Sequence, residues 1–376
     1  LSGSKLMKKR RCHIAVLYAV VCTALLFSCK DDKVDADVFA DRRIYLRATV
    51  ESAEATTRLP FPVGYQPNRE RPLDAAIWAS TTQNKFTHTD GANGKNGIVA
   101  LHTSAHFTNS EEQLLDDAVY PKASDSDAAE NTVYFIGLHP KTGWSTTDGA
   151  QATHASAIDG KTDVMFAPQI SGRYGGNTTG DKWPTFEFHH LLTWLRIQMV
   201  AENEEVRDAW GKVTDLTIKS LRGVNIDLSE EYNSATCVTF TGEETDLSFY
   251  QTETDEVFPS SEGYELKAPY DADAKLEDYI EEVAYVLCAP VDATEKDTET
   301  GNKTTEYTLH VETEKRNVDV NVDLMKGLNE HFTGPTMNKQ FTLLLKFKMG
   351  DNISIMALPT DWQTGGIRSG ELEETE

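Results

Sequence analysis

The sequence predicts an all-β protein, folded as two β-sandwich domains in tandem. Short apolar runs that alternate with period two recur along the chain, and turn-forming Gly, Pro, Asn and Asp separate them. Amphipathic helix periodicity is almost absent, with Leu276 to Ile280 offering one turn. At 376 residues the chain is long for a single core, and two domains are the natural division.

The N-terminus sets the compartment. From Met7, read as the initiator, come Lys8-Lys9-Arg10-Arg11, an apolar stretch from Ile14 to Phe27, and Ser28-Cys29. A basic cluster, a short apolar run and a small residue make a cleavable export signal over residues 1–28. The run falls short of the about 20 apolar residues that an ordinary membrane-spanning helix needs. Leu26-Phe27-Ser28-Cys29 has the form of a lipobox, in which Cys29 becomes the lipidated first residue of the mature chain. Residues 29–43 are polar and acidic and read as a lipidated tether.

Charge and cysteines narrow the function classes. The chain carries 36 basic and 60 acidic side chains, and the signal region accounts for five of the basic ones. The remainder, 31 against 60, repels nucleic acid, so no nucleic-acid partner is expected. Outside the signal and lipobox only Cys237 and Cys288 remain, too few for a disulfide scaffold or a zinc site. Both stand in apolar strand-like runs, which favours buried thiols over a bridge.

The N-terminal domain is expected at 44–180. Its first strand puts Ile44, Leu46, Ala48 and Val50 on one face. A small polar stretch leads to Arg58 and Leu59, and Pro60, Pro62 and Gly64 then break regular structure. Further strands are read at 76–79, 98–101, 132–137 and 163–168, with 110–118 as a short helix or loop. A glycine-rich stretch from Ser171 to Lys182 marks the boundary, and the second domain is placed at 181–376. There Phe186 to His189 and Leu195 to Met199 alternate in opposite phase, which requires a bulge or bend between His190 and Thr193. Strands continue at 213–218, 238–240, 283–288, 307–311, 318–324, 341–347 and 353–358.

No catalytic constellation emerges, and the chain is read as a non-enzyme with no cofactor and no metal. His189 and His190 are adjacent, so in a strand they point to opposite faces and cannot share an ion. His102 and His106 have no acidic residue at a fixed spacing, and no G-x-S-x-G elbow or HExxH pair exists. Gly175 to Lys182 lacks the Gly-Lys-Ser/Thr end of a phosphate loop.

The ordered motifs resemble those of the fimbrillins, the subunits of Bacteroidales type V pili. The likeness runs through the lipobox, the strand from Ile44 to Val50 with Arg58 after it, and Asp163-Val164-Met165-Phe166-Ala167. It continues through Phe186-Glu187-Phe188-His189-His190, Lys339 to Leu345, Ile353-Ser354-Ile355, and Asp361-Trp362-Gln363-Thr364-Gly365-Gly366. Lys30-Asp31-Asp32 after Cys29 resembles a surface-export tag of Bacteroidales lipoproteins. The resemblance implies two transthyretin-like sandwiches, a location on the cell outer membrane, and an arginine-specific protease that cuts between Arg58 and Leu59. It further implies that the strand carrying Ile44, Leu46, Ala48 and Val50 is removable, and that a donor strand from another fimbrial subunit replaces it. Candidate donors here are the segments holding Ile353 and Ile355 and, further on, Trp362 and Ile367. The other reading is a monomeric surface lipoprotein that binds a glycan or host protein, or an uncleaved anchor or tip subunit.

Overall fold

The structure, a computed structural model, describes residues 44–50, 66–86, 100–108, 112–113, 120, 132–147, 151–173, 184–228, 237–270, 274–291, 306–324, 336–350 and 352–360. Cys29, Arg58, Leu59, Trp362 and Ile367 lie outside these residues, as do the signal region, the tether and most of the glycine-rich stretch.

The first sheet combines β1 (Tyr45–Val50), β2 (Leu73–Ser80), β3 (Ala100–Phe107), β4 (Glu112–Gln113), β5 (Thr132–His139), β8 (Met165–Arg173) and β9 (Thr185–His190). Its spatial order is β3-β2-β5-β8-β9-β1-β4, and its end strands β3 and β4 approach each other, so the sheet curls around its own interior. Inside lies a core that includes Leu46, Ile77, Phe107, Phe135, Phe186 and Phe188. The opposite faces of β2, β5 and β8 are buried too, through Trp78, Ile136, Leu138 and Phe166, in the core that continues into the second half of the chain. Burial on both faces is why β2, β5 and the start of β8 read as nearly continuous apolar runs rather than as clean alternation.

The second sheet takes β10 (Thr193–Ala201), β11 (Val213–Ser220), β14 (Thr245–Gln251), β15 (Val257–Phe258), β16 (Glu281–Cys288), β17 (Glu306–Thr313), β18 (Asn317–Asp323), β19 (Lys339–Lys348) and β20 (Asn352–Thr360). The order is β18-β17-β11-β14-β16-β10-β19-β20, with β15 beside β14. β14 is the corner: Thr245 to Ser248 pair with β11, while Tyr250 and Gln251 pair with β16. One strand shared by two layers folds the sheet back on itself as a sandwich, and the end strands β18 and β20 come together. The all-β class and the sandwich architecture are as the sequence predicts.

Three features depart from the sequence reading. First, a four-stranded sheet, β13-β12-β7-β6, joins β6 (Ser145–Thr147) and β7 (Gln151–His154) to β12 (Gly223–Asp227) and β13 (Val238–Thr241). It draws strands from both sides of the expected boundary, and Arg43–Glu376 clusters as one compact unit. Second, the main sheets change over at Leu191 and Leu192 rather than at 180 and 181, because β9 is hydrogen-bonded into the first sheet. The phase slip between β9 and β10 is therefore the step from one sheet to the next. Third, the structure adds a helix, α1 (Glu204–Trp210). Its signals are short: Asn203 caps it by accepting from the Val206 amide at 2.9 Å, and Val206 and Trp210 share the buried face. The turn near Leu276 forms as a 3-10 helix over Leu276–Tyr279.

Candidate functional site

β1 coincides with the strand that the resemblance implies is removable, and the alternation of its side chains decides what it touches. Ile44, Leu46, Ala48 and Val50 are at most 2% exposed and line the interior of the first sheet, while Tyr45, Arg47 and Thr49 are half-buried on the other face. Across the interior, Phe107 meets Phe186 and Phe188 edge-on, with ring centroids 6.3 and 6.5 Å apart. Burying each large aliphatic side chain of β1 contributes roughly 1.5–3 kcal/mol.

Among the described residues, backbone bonding to β1 is more limited than its side-chain burial. From Arg47 to Val50 the strand runs parallel to Thr185 to Phe188 of β9, and the Arg47 amide donates to the Pro184 carbonyl at 2.9 Å. The Thr49 hydroxyl donates to the Phe186 carbonyl at 3.2 Å. On its other side β1 meets β4, where Tyr45 and Leu46 pair with Gln113 and Glu112. β4 falls in the stretch read from sequence as a helix or loop, and two residues of strand carry too little periodicity to be recognised.

The bonding of β9 explains the importance of β1. β9 pairs with β8 only through His189 and His190, so Thr185 to Phe188 have β1 as their ladder partner among the described residues. Withdrawal of β1 would open an apolar groove and, beside it, a row of unpaired backbone groups. An unpaired edge above an apolar groove is a template for another strand.

Gly137 of β5 shapes the floor of that groove, and the sequence reading does not single it out. A Cβ there would lie 2.8 Å from the Phe188 ring, so the glycine lets Phe188 turn inward. The available signal is a glycine inside an otherwise apolar strand.

At the end of β9 the chain leaves the groove beside a buried polar contact. His190 Nδ1 lies 2.7 Å from Asp163 Oδ2, with both side chains buried, and the Leu191 amide donates to the Val164 carbonyl at 2.9 Å. His189 is half-buried on the opposite face, as adjacent strand positions require. Burial lowers the pKa of neighbouring His139, partly offset by its 2.6 Å hydrogen bond to the Asp74 carbonyl oxygen and by the Asp163 and Asp74 charges. His106 does have an acidic partner, supplied by the adjacent strand rather than by local spacing: its Nδ1 is 2.7 Å from Asp74 Oδ1.

The candidate donor residues Ile353 and Ile355 lie far along the chain in β20, the end strand of the second sheet. There they are committed to their own sheet: Ile353 is buried, Ile355 is half-buried, and the strand pairs with β19 from Asn352 to Thr360. Cys237 and Cys288 are buried thiols that do not form a disulfide, and burial pushes the Cys288 thiol up to about 12.

No family model and no curated protein matches the sequence. Among solved structures, a candidate cell adhesion protein from Bacteroides uniformis is similar at 13% identity, with a TM-score of 0.47 over 85% of this chain and 99% of that one. A fimbrial protein from Bacteroides vulgatus is similar at 15% identity, with a TM-score of 0.39 over 85% and 99%. The fimbrial anchor protein Mfa2 from Porphyromonas gingivalis is similar at 9% identity, with a TM-score of 0.37 over 85% and 98%. At such identities and scores these likenesses assign this chain neither a family nor a role for any residue.

Proposed function

We propose that this chain is a subunit of a cell-surface fimbria, anchored through Cys29 until an arginine-specific protease cuts after Arg58, and then assembled by strand exchange. The observation that carries the reading is β1 itself. It is a short strand whose apolar face is completely buried, yet among the described residues its backbone is held over a few residues on either side. Such a strand fills the groove with its side chains while sitting between β9 and β4 in the sheet through short ladders. Arg58 and Leu59 follow Val50 closely in sequence, so one cut would free the strand together with the lipid anchor.

β20 is suited to the vacated groove. Its series Ile353, Ile355, Ala357 matches the size order of Ile44, Leu46, Ala48 in β1, two large residues followed by a small one. As an end strand it is paired with β19 on one side, so donation requires it to exchange that ladder and the core positions of Ile353 and Ala357 for the groove, and the sequence beyond it, with Trp362 and Ile367, adds donor length. Exchange between unlike ends of successive subunits does not close on itself, so it builds a filament.

The test is the intact mass and N-terminal sequence of the protein sheared from its native cell surface. A chain starting at Leu59, in heat-sensitive oligomer ladders, is the expected result. A chain that still starts at lipidated Cys29 and is always monomeric overturns the polymer reading and leaves a stand-alone surface lipoprotein.

A further inference from the structure

On the second sheet, away from the β1 groove, three side chains with metal-ligating atoms converge. They are Asp215 of β11 and His310 and Glu312 of β17, and one ligating atom from each lies within 4.8 Å of the others. Strand geometry brings them together. His310 and Glu312 are two apart on one strand and share a face, while Asp215 is the register partner of Glu312 on the neighbouring strand. The ladder shifts register between Val213 and Asp215, and an irregularity of this kind re-aims a side chain.

Two further observations distinguish this group from a solvated acidic surface. First, His310 is oriented from behind: its Nδ1 lies 2.7 Å from Oδ1 of Asp319, its register partner on β18. A carboxylate holding one ring nitrogen orients the ring and, in the neutral imidazole, leaves Nε2 with a lone pair, the arrangement found behind most metal-ligating histidines. Second, Asp215 and Glu312 are two carboxylates directly opposite each other, a pairing that is destabilising on adjacent strands. The cations near them in sequence have other partners. Lys212 donates to the Glu262 carbonyl, Lys315 to the Asp208 carbonyl, and Arg316 to the Ala209 carbonyl while stacking on Trp210.

We infer that Asp215, His310 and Glu312 form a binding site for a divalent cation of the zinc class, with Asp319 positioning the histidine. One imidazole and two carboxylates supply three ligands at about 2.0–2.2 Å, and water completes a tetrahedron. The mixed nitrogen and oxygen set favours zinc over calcium or magnesium, which take oxygen ligands. A bound ion would neutralise the opposed carboxylates and clip β11 to β17. The site revises the sequence expectation of no metal, and sequence spacing hides it because Asp215 and His310 stand far apart in the chain.

The experiment is calorimetric titration of the folded, chelator-treated, untagged protein with zinc chloride, with calcium and magnesium chlorides as comparisons. Binding of one zinc ion is expected, with a rise in melting temperature. His310→Ala and Glu312→Gln should weaken that binding at least about tenfold and abolish the thermal shift. Asp319→Asn should weaken it about 10–100-fold, as loss of a histidine's supporting carboxylate does elsewhere. Glu312 is exposed, so its isosteric variant folds even if His310→Ala does not. No zinc binding, zinc binding of unchanged affinity in Glu312→Gln, or a preference for calcium would each overturn the assignment. Unchanged affinity in Asp319→Asn would overturn the positioning role.

Discussion

β1 and β19 occupy equivalent places in the two main sheets and are held very differently. In the first sheet the run is β8-β9-β1-β4, and in the second it is β16-β10-β19-β20. In each, a central strand, β9 or β10, has an antiparallel neighbour on one side and a parallel one, β1 or β19, on the other. An antiparallel end strand then covers the parallel one. β19 pairs with β10 along Lys339 to Phe347 and with β20 along Gln340 to Lys348. Among the described residues β1 pairs with β9 from Arg47 to Val50 and with β4 at Tyr45 and Leu46. Side chains repeat the contrast, since the six residues from Gln340 through Leu345 are buried on both faces of β19, whereas β1 buries one face.

Apolar burial and backbone pairing are therefore separable: among the described residues β1 has the first in full and less of the second than β19. Substitutions in the two strands probe that separation. The largest effect is expected from Phe341→Ala in β19, which should destabilise the whole protein by about 3–5 kcal/mol, read from its denaturant midpoint. Leu46→Ala in β1 should cost about 2–5 kcal/mol, but in the first sheet alone. Hydrogen exchange on that variant should show the amides of residues 45–50 and 185–188 opening while those of β19 stay protected. Joint opening of β1 and β19 would remove the distinction.

Gly137→Ala should cost about 1–3 kcal/mol, because the added methyl group displaces a Phe188 ring that is already packed against Phe107 and Phe186. An unchanged unfolding midpoint would mean that the groove floor is not tight. The smallest effect concerns acid. His139 has a folded pKa below its ordinary 6.5, because burial disfavours the charged ring. The fold therefore prefers the neutral form, and the stability this contributes is complete above about pH 6.5 and declines as pH falls below it. Asp74, whose burial is outweighed by hydrogen bonds from His106 and Lys141, is held below 3.8, so its own loss comes only at more acidic pH. His139→Gln should flatten the decline of the urea midpoint between about pH 7.5 and about pH 5.5. An unaltered slope would place the acid sensitivity elsewhere.

Much of the strand inventory was legible in the sequence, and the reasons are local. Ile44, Leu46, Ala48 and Val50 declare their shared face through alternation alone, and the structure buries all four. The opposite phases of β9 and β10 require a break, which the structure resolves as a change of sheet. β4, β6, β7 and β15 are not recognisable from sequence, because two to four residues carry no readable period. α1 escapes for a related reason: its seven residues show only a cap and one buried pair. Of the candidate site, the apolar face of β1 is legible and the Gly137 floor and the Asp215–His310–Glu312 group are not, since both depend on which strands become neighbours.

Where many of the strands form, and which face of β1 is apolar, follows from the chain alone, because side-chain direction along a strand is set by the chain's own geometry. Partner choice does not follow in that way. Backbone donors and acceptors are alike at every residue, so nothing local in β1 names the distant β9 as its parallel neighbour. Nor does anything local join β7 to β12 or set Asp215 against Glu312. Those pairings depend on which apolar faces can be buried together, and that is a property of the whole packed chain.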